Sequence, residues 1–272
     1  MSRLFGQFTT ETTNSIPHQH SWSRGASAPD EFAEKAVQMV KQGFTAIKFD
    51  PFGRVDLFVG REEVAEAVER VRAVREAVGD GVDILIEGHR RMSPMSAIRM
   101  AREIERFGPF WLEEPVSSDN IDALAKVTSR TNIPVVTGEC LYSKYAFREV
   151  FEKQAADIIN PDLCNTGGIL ECREISAMAE AYYVAVAPHN YNGPVGTASA
   201  VHLSASIPNF LILEFFVSAR ERREEILKQP IKAEGGYVTV PTKPGLGVEI
   251  DEEAIAKYPY REYTPRIQPT SI

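Results

Sequence analysis

Short apolar runs alternate along the chain with longer stretches in which apolar residues recur every three or four positions. The runs are 46–49, 83–86, 110–112, 134–137, 157–160, 184–187 and 210–213, with a weaker one at 16–22. Each is a few residues long and several are rich in Ile and Val, which is how a strand covered on both faces reads. Between them, 30–42, 61–78, 93–107, 120–128, 144–153, 169–181 and 194–206 carry helical stripes. In 61–78 the stripe is Val64, Ala67, Val68, Val71, Val74 and Val78. Strands alternating with helices imply parallel pairing through right-handed crossovers. Eight strands spaced this way predict an α/β protein with a closed TIM-type (β/α)8 barrel, the rival being an open doubly wound sheet. No G-x-G-x-x-G follows an early strand, which removes the usual support for a dinucleotide-binding version of that rival.

The two ends break the repeat. Residues 1–16 are polar and Thr-rich and read as a lead-in, with the barrel over 17–224. Beyond Glu214 the helical period stops. Gly235-Gly236, Pro241, Pro244-Gly245 and Gly247 punctuate a turn-rich segment, 225–272, expected to pack on the barrel.

Composition then narrows the function. The 272 residues are 43% hydrophobic and 25% charged, as in a folded globular protein. Thirty Lys and Arg against 38 Asp and Glu give a net charge of −8, which repels a phosphate backbone and disfavours nucleic acid as a partner. Cys140, Cys164 and Cys172 form no C-x-x-C pair and fit reduced thiols. The first residues have no apolar core of a signal peptide, and no run approaches the ~18 residues a membrane span needs. A cytoplasmic protein without membrane contact is expected.

In a parallel barrel the chemistry sits where strands end. Strand two ends in Lys48, then Asp50; strand three in Glu87, then His89; strand four in Glu113-Glu114; strand five in Glu139. Strand six ends in Asn160 and Asp162, strand seven in His189 and strand eight in Glu214. Glu87, Glu113 and Glu139 are spaced 26 residues apart, one βα unit each. A lone acidic residue at a strand end is most often a helix cap or a solvated charge. Three in register crowd one rim and repel unless a cation lies among them. Oxygen ligands suit a hard ion, Mg²⁺ first and Mn²⁺ next, and the absence of cysteine argues against structural zinc. His89, two residues beyond Glu87, shares its side of an extended segment. Asp162 ends the strand before His189, within reach to fix the imidazole tautomer and raise its basicity. His18, His20 and His202 have no such setting, and His202, in mid-helix, reads as structural.

Several ordered segments agree with one family. They are G-F-T-A-I-K-F-D-P-F-G (43–53), D-I-L-I-E-G-H-R-R (83–91), W-L-E-E-P-V (111–116), P-V-V-T-G-E (134–139), D-I-I-N-P-D-L-C-N-T-G-G-I (157–169), V-A-P-H-N (186–190), L-I-L-E-F-F (211–216) and G-G-Y-V-T-V-P-T-K-P-G-L-G (235–247). Together they resemble the mandelate racemase subgroup of the enolase superfamily, most closely its gluconate- and galactonate-type sugar-acid dehydratases. The resemblance implies a modified (β/α)7β barrel in which Glu87, Glu113 and Glu139 bind Mg²⁺. It makes His189, paired with Asp162, the general base and His89 the general acid. Lys48 matches a lysine near the substrate carboxylate, and Glu214 an acid that hydrogen-bonds the developing enediolate. The implied reaction is dehydration of an aldonate or aldarate to a 2-keto-3-deoxy acid, in a homo-oligomer whose partner is a small acid sugar. A racemase, epimerase or lactone cycloisomerase on similar acids is the alternative within the family, and a catalytically inactive truncated barrel the alternative outside it.

Four departures accompany the resemblance. Glu87 stands where the family usually has Asp, Arg90 where dehydratases often have Gly, and Asp50 in place of the second lysine of a K-x-K pair. The family's N-terminal α+β capping domain has no counterpart in these segments, so a barrel without it is expected.

Overall fold

A computed structural model describes residues 2–7, 22–23, 25–217, 220–260 and 262. Eight strands run in turn through β1 (Ser2–Gln7), β2 (Ala46–Phe49), β3 (Asp83–Glu87), β4 (Trp111–Glu113), β5 (Val135–Thr137), β6 (Ile158–Ile159), β7 (Ala185–Val186) and β8 (Leu213–Phe216). Neighbours from β1 to β7 pair in parallel, and β8 pairs in parallel with β1. Phe210, three residues before β8, bridges Val186 of β7, and so the cylinder closes. Around it lie α1 (Pro29–Lys41), α2 (Arg61–Val78), α3 (Pro94–Ile104), α4 (Ile121–Thr128), α5 (Ser143–Glu152), α6 (Leu163–Thr166), α7 (Gly168–Ala181) and α8 (Pro194–Ser206). The helices form where the apolar stripe demands them: Val64, Ala67, Val68, Val71 and Val74 of α2 are all buried. Side-chain caps start several of them, Ser93 accepting from Ser96 N, Asn120 from Ala123 N and Asp162 from Cys164 N.

Alternation along the strands divides the apolar residues into two sets. Ile47, Phe49, Ile84, Ile86, Leu112, Ile159, Val186 and Leu213 face outward into the layer shared with the helices. Ala46, Leu85, Trp111, Val136, Ile158, Ala187 and Ile212 pack against one another inside the cylinder. This second set is the floor on which the polar end of the barrel is built.

The ends depart from the sequence expectation in three places. Ser2–Gln7, within the expected lead-in over 1–16, forms β1 and completes the ring between β2 and β8. Its sequence holds one short apolar pair beside polar residues, and backbone pairing on both sides, not hydrophobicity, makes it a strand. The strand expected near 16–22 falls largely outside the described residues. Of it, Trp22 lies in a turn and its indole N–H donates to the Lys48 carbonyl at 3.3 Å. The last strand is shifted three residues beyond 210–213, because Phe210 still belongs to the β7 pairing before the chain moves on to β1.

After β8 the chain forms α9 (Arg220–Glu225), a hairpin of β9 (Ala233–Glu234) and β10 (Tyr237–Val238), and α10 (Glu252–Ala256). Helix α9 reads RERREE and shows no apolar stripe, so periodicity did not reveal it. The hairpin lays β10 antiparallel on β1, Ser2 opposite Val238. The loop after the hairpin reaches helix α8, where the mid-helix His202 faces the Leu246 carbonyl at 3.1 Å through Nε2. Among the described residues no helix is long and apolar enough to cross a membrane.

The floor and the surface should respond differently to truncation. Leu85→Ala, at a fully buried interior position, is expected to cost about 2–5 kcal/mol of unfolding free energy. Leu170→Ala, 67% exposed on α7, should stay within about 0.5 kcal/mol. Urea unfolding of both variants measures the difference.

Candidate active site

Two residues beyond each floor residue the same inward face continues with a polar side chain. Ala46 leads to Lys48, Leu85 to Glu87, Trp111 to Glu113, Ile158 to Asn160, Ala187 to His189 and Ile212 to Glu214. The exception is β5, where Val136 leads to Gly138 and the acid is Glu139. A Cβ on Gly138 would lie 2.9 Å from the Phe147 ring and 3.2 Å from Asn160 N, and the residue has φ +139. Glycine therefore lets the chain bend tightly here and aim the next residue inward. Glu114 fixes the bend from the neighbouring strand, accepting from Thr137 Oγ1 at 2.9 Å and Gly138 N at 3.0 Å. Burial and the charge of Glu139 raise its carboxyl to about 7.

The three glutamates converge: Glu87, Glu113 and Glu139 each offer an oxygen, all within 4.8 Å of one another. Lys48 Nζ sits against them, 2.6 Å from Glu113 Oε1 and 3.3 Å from both Glu87 Oε2 and Glu214 Oε1. Lys48, Glu87, Glu113 and Glu214 are all essentially inaccessible. Burial pulls the Lys48 ammonium down, but the charges of Glu113, Glu214, Glu87 and Glu139 outweigh it and hold it well above its ordinary value. Burial likewise pushes Glu113 well up, while in Glu87 it is outweighed by His89, Lys48 and a backbone N–H, which hold that carboxyl at about 2. Asn160 Nδ2 donates to Glu113 Oε1 at 2.9 Å and Trp111 Nε1 to its Oε2 at 3.1 Å. Asn160 Oδ1 in turn accepts from Glu139 N at 3.1 Å.

Glu87 is one methylene longer than the aspartate that the resemblance leads one to expect at this position. Its Oε1 turns back to accept the His89 backbone N–H at 2.8 Å, leaving Oε2 directed at the cluster. Glu87 Oε2 and Glu214 Oε1 are buried and accept no hydrogen bond among the described residues. A divalent ion bound at ~2.1 Å by oxygen ligands needs them about 3–4 Å apart, which this spacing allows. The donor set, all carboxylate, buried and partly unsatisfied, fits a hard divalent cation.

Two histidines flank the cluster. His189 Nδ1 lies 2.7 Å from Asp162 Oδ2, with Nε2 3.3 Å from Glu139 Oε2 and 3.7 Å from Glu214 Oε2. Asp162 is held by the Cys164 N–H at 2.8 Å and by Asn192 Nδ2 at 3.0 Å. Burial opposes the His189 charge, but Glu214, Glu139 and the Asp162 hydrogen bond raise the imidazole to about 10. On the other side His89 Nδ1 lies 2.7 Å from Asp50 Oδ2, which also pairs with Arg91. Burial lowers the His89 value, but Glu87 and Asp50 raise it on balance. Asp50 is thus the partner of His89, not a member of the acidic cluster. Its position two beyond Lys48, on the inward face of the adjacent strand, was the signal for this. Sequence reading also missed Asn192, and it noted Arg90 only as a departure from glycine, without the pairing of its guanidinium with Glu139 Oε1. Asn190 N donates to Glu214 Oε2 at 2.6 Å and fixes that acid.

Residues 31–254 match the family model described as Enolase C-terminal domain-like. The chain belongs to this family. It is 38% identical over 242 residues to a D-gluconate dehydratase of Thermoproteus tenax, covering 89% of this chain and 49% of that protein. It is also 38% identical over 235 residues to a D-xylonate dehydratase of Haloferax volcanii, covering 84% of this chain and 57% of the relative. Among solved structures, a mandelate racemase/muconate lactonizing enzyme from Sulfitobacter sp. superposes with a TM-score of 0.86 at 37% identity, over 97% of this chain and 65% of that one. The chain therefore spans about half to two thirds of the length of these relatives. Two of them are sugar-acid dehydratases by name and the third a mandelate racemase/muconate lactonizing enzyme, in line with the resemblance carried by the strand-end motifs.

Lys48 offers the first test of the cluster. Lys48→Met leaves Glu87, Glu113 and Glu214 without their shared counter-charge, and a loss of about 3–5 kcal/mol is expected. Millimolar Mg²⁺ or Mn²⁺ should return much of it in a melt followed by circular dichroism. A variant as stable as the parent, or one deaf to the cations, contradicts the arrangement.

Proposed function

We propose that this barrel removes water from a sugar acid, taking the α-hydrogen from C2 and the hydroxyl from C3 to give a 2-keto-3-deoxy acid. The observation that carries the proposal is the pair of His–Asp couples on either side of one acidic cluster. β3 and β7 stand four places apart in the ring, so His89 and His189 approach from opposite sides. Each imidazole gives Nδ1 to an aspartate, which leaves Nε2 for the substrate. That is one base and one acid, as an elimination requires.

Glu87, Glu113 and Glu139 would hold the divalent cation, Mg²⁺ or Mn²⁺. When bound, such an ion neutralises the glutamates and draws charge from a chelating carboxylate, which acidifies its α-hydrogen. His189, oriented by Asp162, faces Glu139 and Glu214, whose charges keep its imidazole protonated; with a cation taking up those charges it would be free to accept that hydrogen as a proton. Lys48 holds the carboxylate end of the substrate by charge, and Glu214 faces the oxygens on which negative charge grows. His89, oriented by Asp50, delivers a proton to the C3 oxygen, and water leaves. The resulting enol becomes the keto acid by protonation at C3. The balance is redox-neutral and releases one water.

The names of the relatives support the substrate class, their D-gluconate and D-xylonate being aldonates. A second reading, epimerisation at C2, draws on the same opposed histidines, since one removes a proton from one face and the other returns it to the other. Asp50 in place of a lysine leaves no lysine partner for such a reaction at this position.

Three measurements test the reading on the full chain with Mg²⁺. Turnover of a panel of aldonates and aldarates should yield a semicarbazide-reactive 2-keto acid; an epimer without keto product selects the second reading. His189→Asn should abolish exchange of the C2 hydrogen with deuterated solvent. His89→Asn should keep exchange and lose dehydration by about 10²-fold or more. Exchange that survives in the His189 variant reverses the roles.

A further inference from the structure

Arg90 is a charged residue of the mouth that the proposed reaction does not use. It follows β3 in a left-handed conformation, φ +62, and its N–H donates to the Glu114 carbonyl at 2.7 Å. The guanidinium reaches across to Glu139 and pairs with Oε1 through Nη1, with 30% of the side chain exposed. The other oxygen, Oε2, faces His189 Nε2 at 3.3 Å. Both oxygens of this glutamate are therefore engaged by cationic partners.

Two roles are open to such an arginine. It can orient Glu139 as a ligand, or it can compete for it. Orientation is already supplied from elsewhere: Asn160 Oδ1 accepts the Glu139 N–H, and Glu114 holds Gly138. What Arg90 adds is a full positive charge on one carboxylate oxygen of a glutamate that a cation would also need. Charges this close, away from bulk water, interact strongly. Reading the three glutamates as cation ligands, as above, we propose that Arg90 is a built-in competitor of the divalent cation for Glu139, lowering the affinity of the cluster for the ion. Metal loading then depends on displacing the guanidinium from Oε1 toward solvent.

The left-handed backbone makes the test clean, because glycine adopts φ +62 without strain. Mn²⁺ binding to the purified full chain, followed by calorimetry and by loss of the free-ion paramagnetic resonance signal, compares the parent with Arg90→Gly and Arg90→Lys. Arg90→Gly is expected to bind about tenfold more tightly, and Arg90→Lys to stay within about threefold of the parent because the charge is kept. In a Glu139→Gln background Arg90→Gly should lose its effect, since the competed oxygen no longer carries charge. Should Arg90→Gly misfold, Arg90→Gln gives the same comparison. Binding in the glycine variant equal to or weaker than the parent overturns the competitor role while leaving the ligand assignment standing. Absence of Mn²⁺ binding in the parent and in every variant overturns the ligand assignment itself, and the competitor role with it.

Discussion

Charge crowding at one end of an apolar cylinder is the constraint from which the rest of this molecule follows. Glu87, Glu113, Glu139 and Glu214 converge above a floor of Leu85, Trp111, Val136 and Ile212. An ionised carboxylate taken out of water without a partner costs several kcal/mol. The fold meets this demand with positive charge and with donors: Lys48 in the middle, Arg90 at the edge, and Trp111, Asn160, Asn190 and the His89 N–H around the oxygens. Among the described residues, one oxygen each of Glu87 and Glu214 still accepts no hydrogen bond. Such a surplus of buried acceptors is poor for stability and useful for holding a cation.

The same economy governs the histidines. Each aspartate behind an imidazole is tied down before it meets the ring. Asp162 caps α6 and takes two further bonds from Asn192, while Asp50 accepts the Phe52 N–H at 2.9 Å and pairs with Arg91. A carboxylate so constrained holds the ring by its Nδ1, and in His189 this leaves Nε2 facing Glu139 and Glu214. Helix capping and catalysis are usually rival explanations for an acid at a strand end. In Asp162 one residue does both, because the cap uses Oδ1 and the imidazole uses Oδ2.

Much of this was legible in the chain. A strand buried on both faces writes itself as a short apolar run, so β2 and its helical partner α2 stand at or within a residue of where periodicity placed them. The polar residue closing each run, read in register, picked out Glu87, Glu113 and Glu139 before any coordinates. What escaped had no hydrophobic signature. β1 is defined by backbone pairing to β2 and β8 and not by its own composition, and α9 is charged throughout. Asp50 was read as a missing lysine because a linear sequence does not show that His89 hangs over the neighbouring strand. Counting inward positions by twos from Ala46 would have placed it beside that histidine.

The loop after β3 concentrates these demands in four residues, Gly88 to Arg91, and its backbone records the cost. Gly88 has no space for a side chain: a Cβ would come within 2.8 Å of the Glu114 carbonyl oxygen and 3.0 Å of Pro115 Cα. His89 and Arg90 then adopt φ +49 and +62, and Glu114 across the mouth φ +42. Left-handed residues other than glycine cost about 1–3 kcal/mol each. The return lies in where the side chains go. A regular strand sends alternate residues to opposite faces, so Glu87, His89 and Arg91 would share one face and Arg90 would leave the site. The left-handed turn instead sends His89 and Arg91 to Asp50 beside β2 and Arg90 to Glu139 beside β5. Strain in the backbone is thus exchanged for three ion pairs, two on Asp50 behind His89 and one on Glu139 of the cluster, and the last is kept only while Glu139 holds its charge.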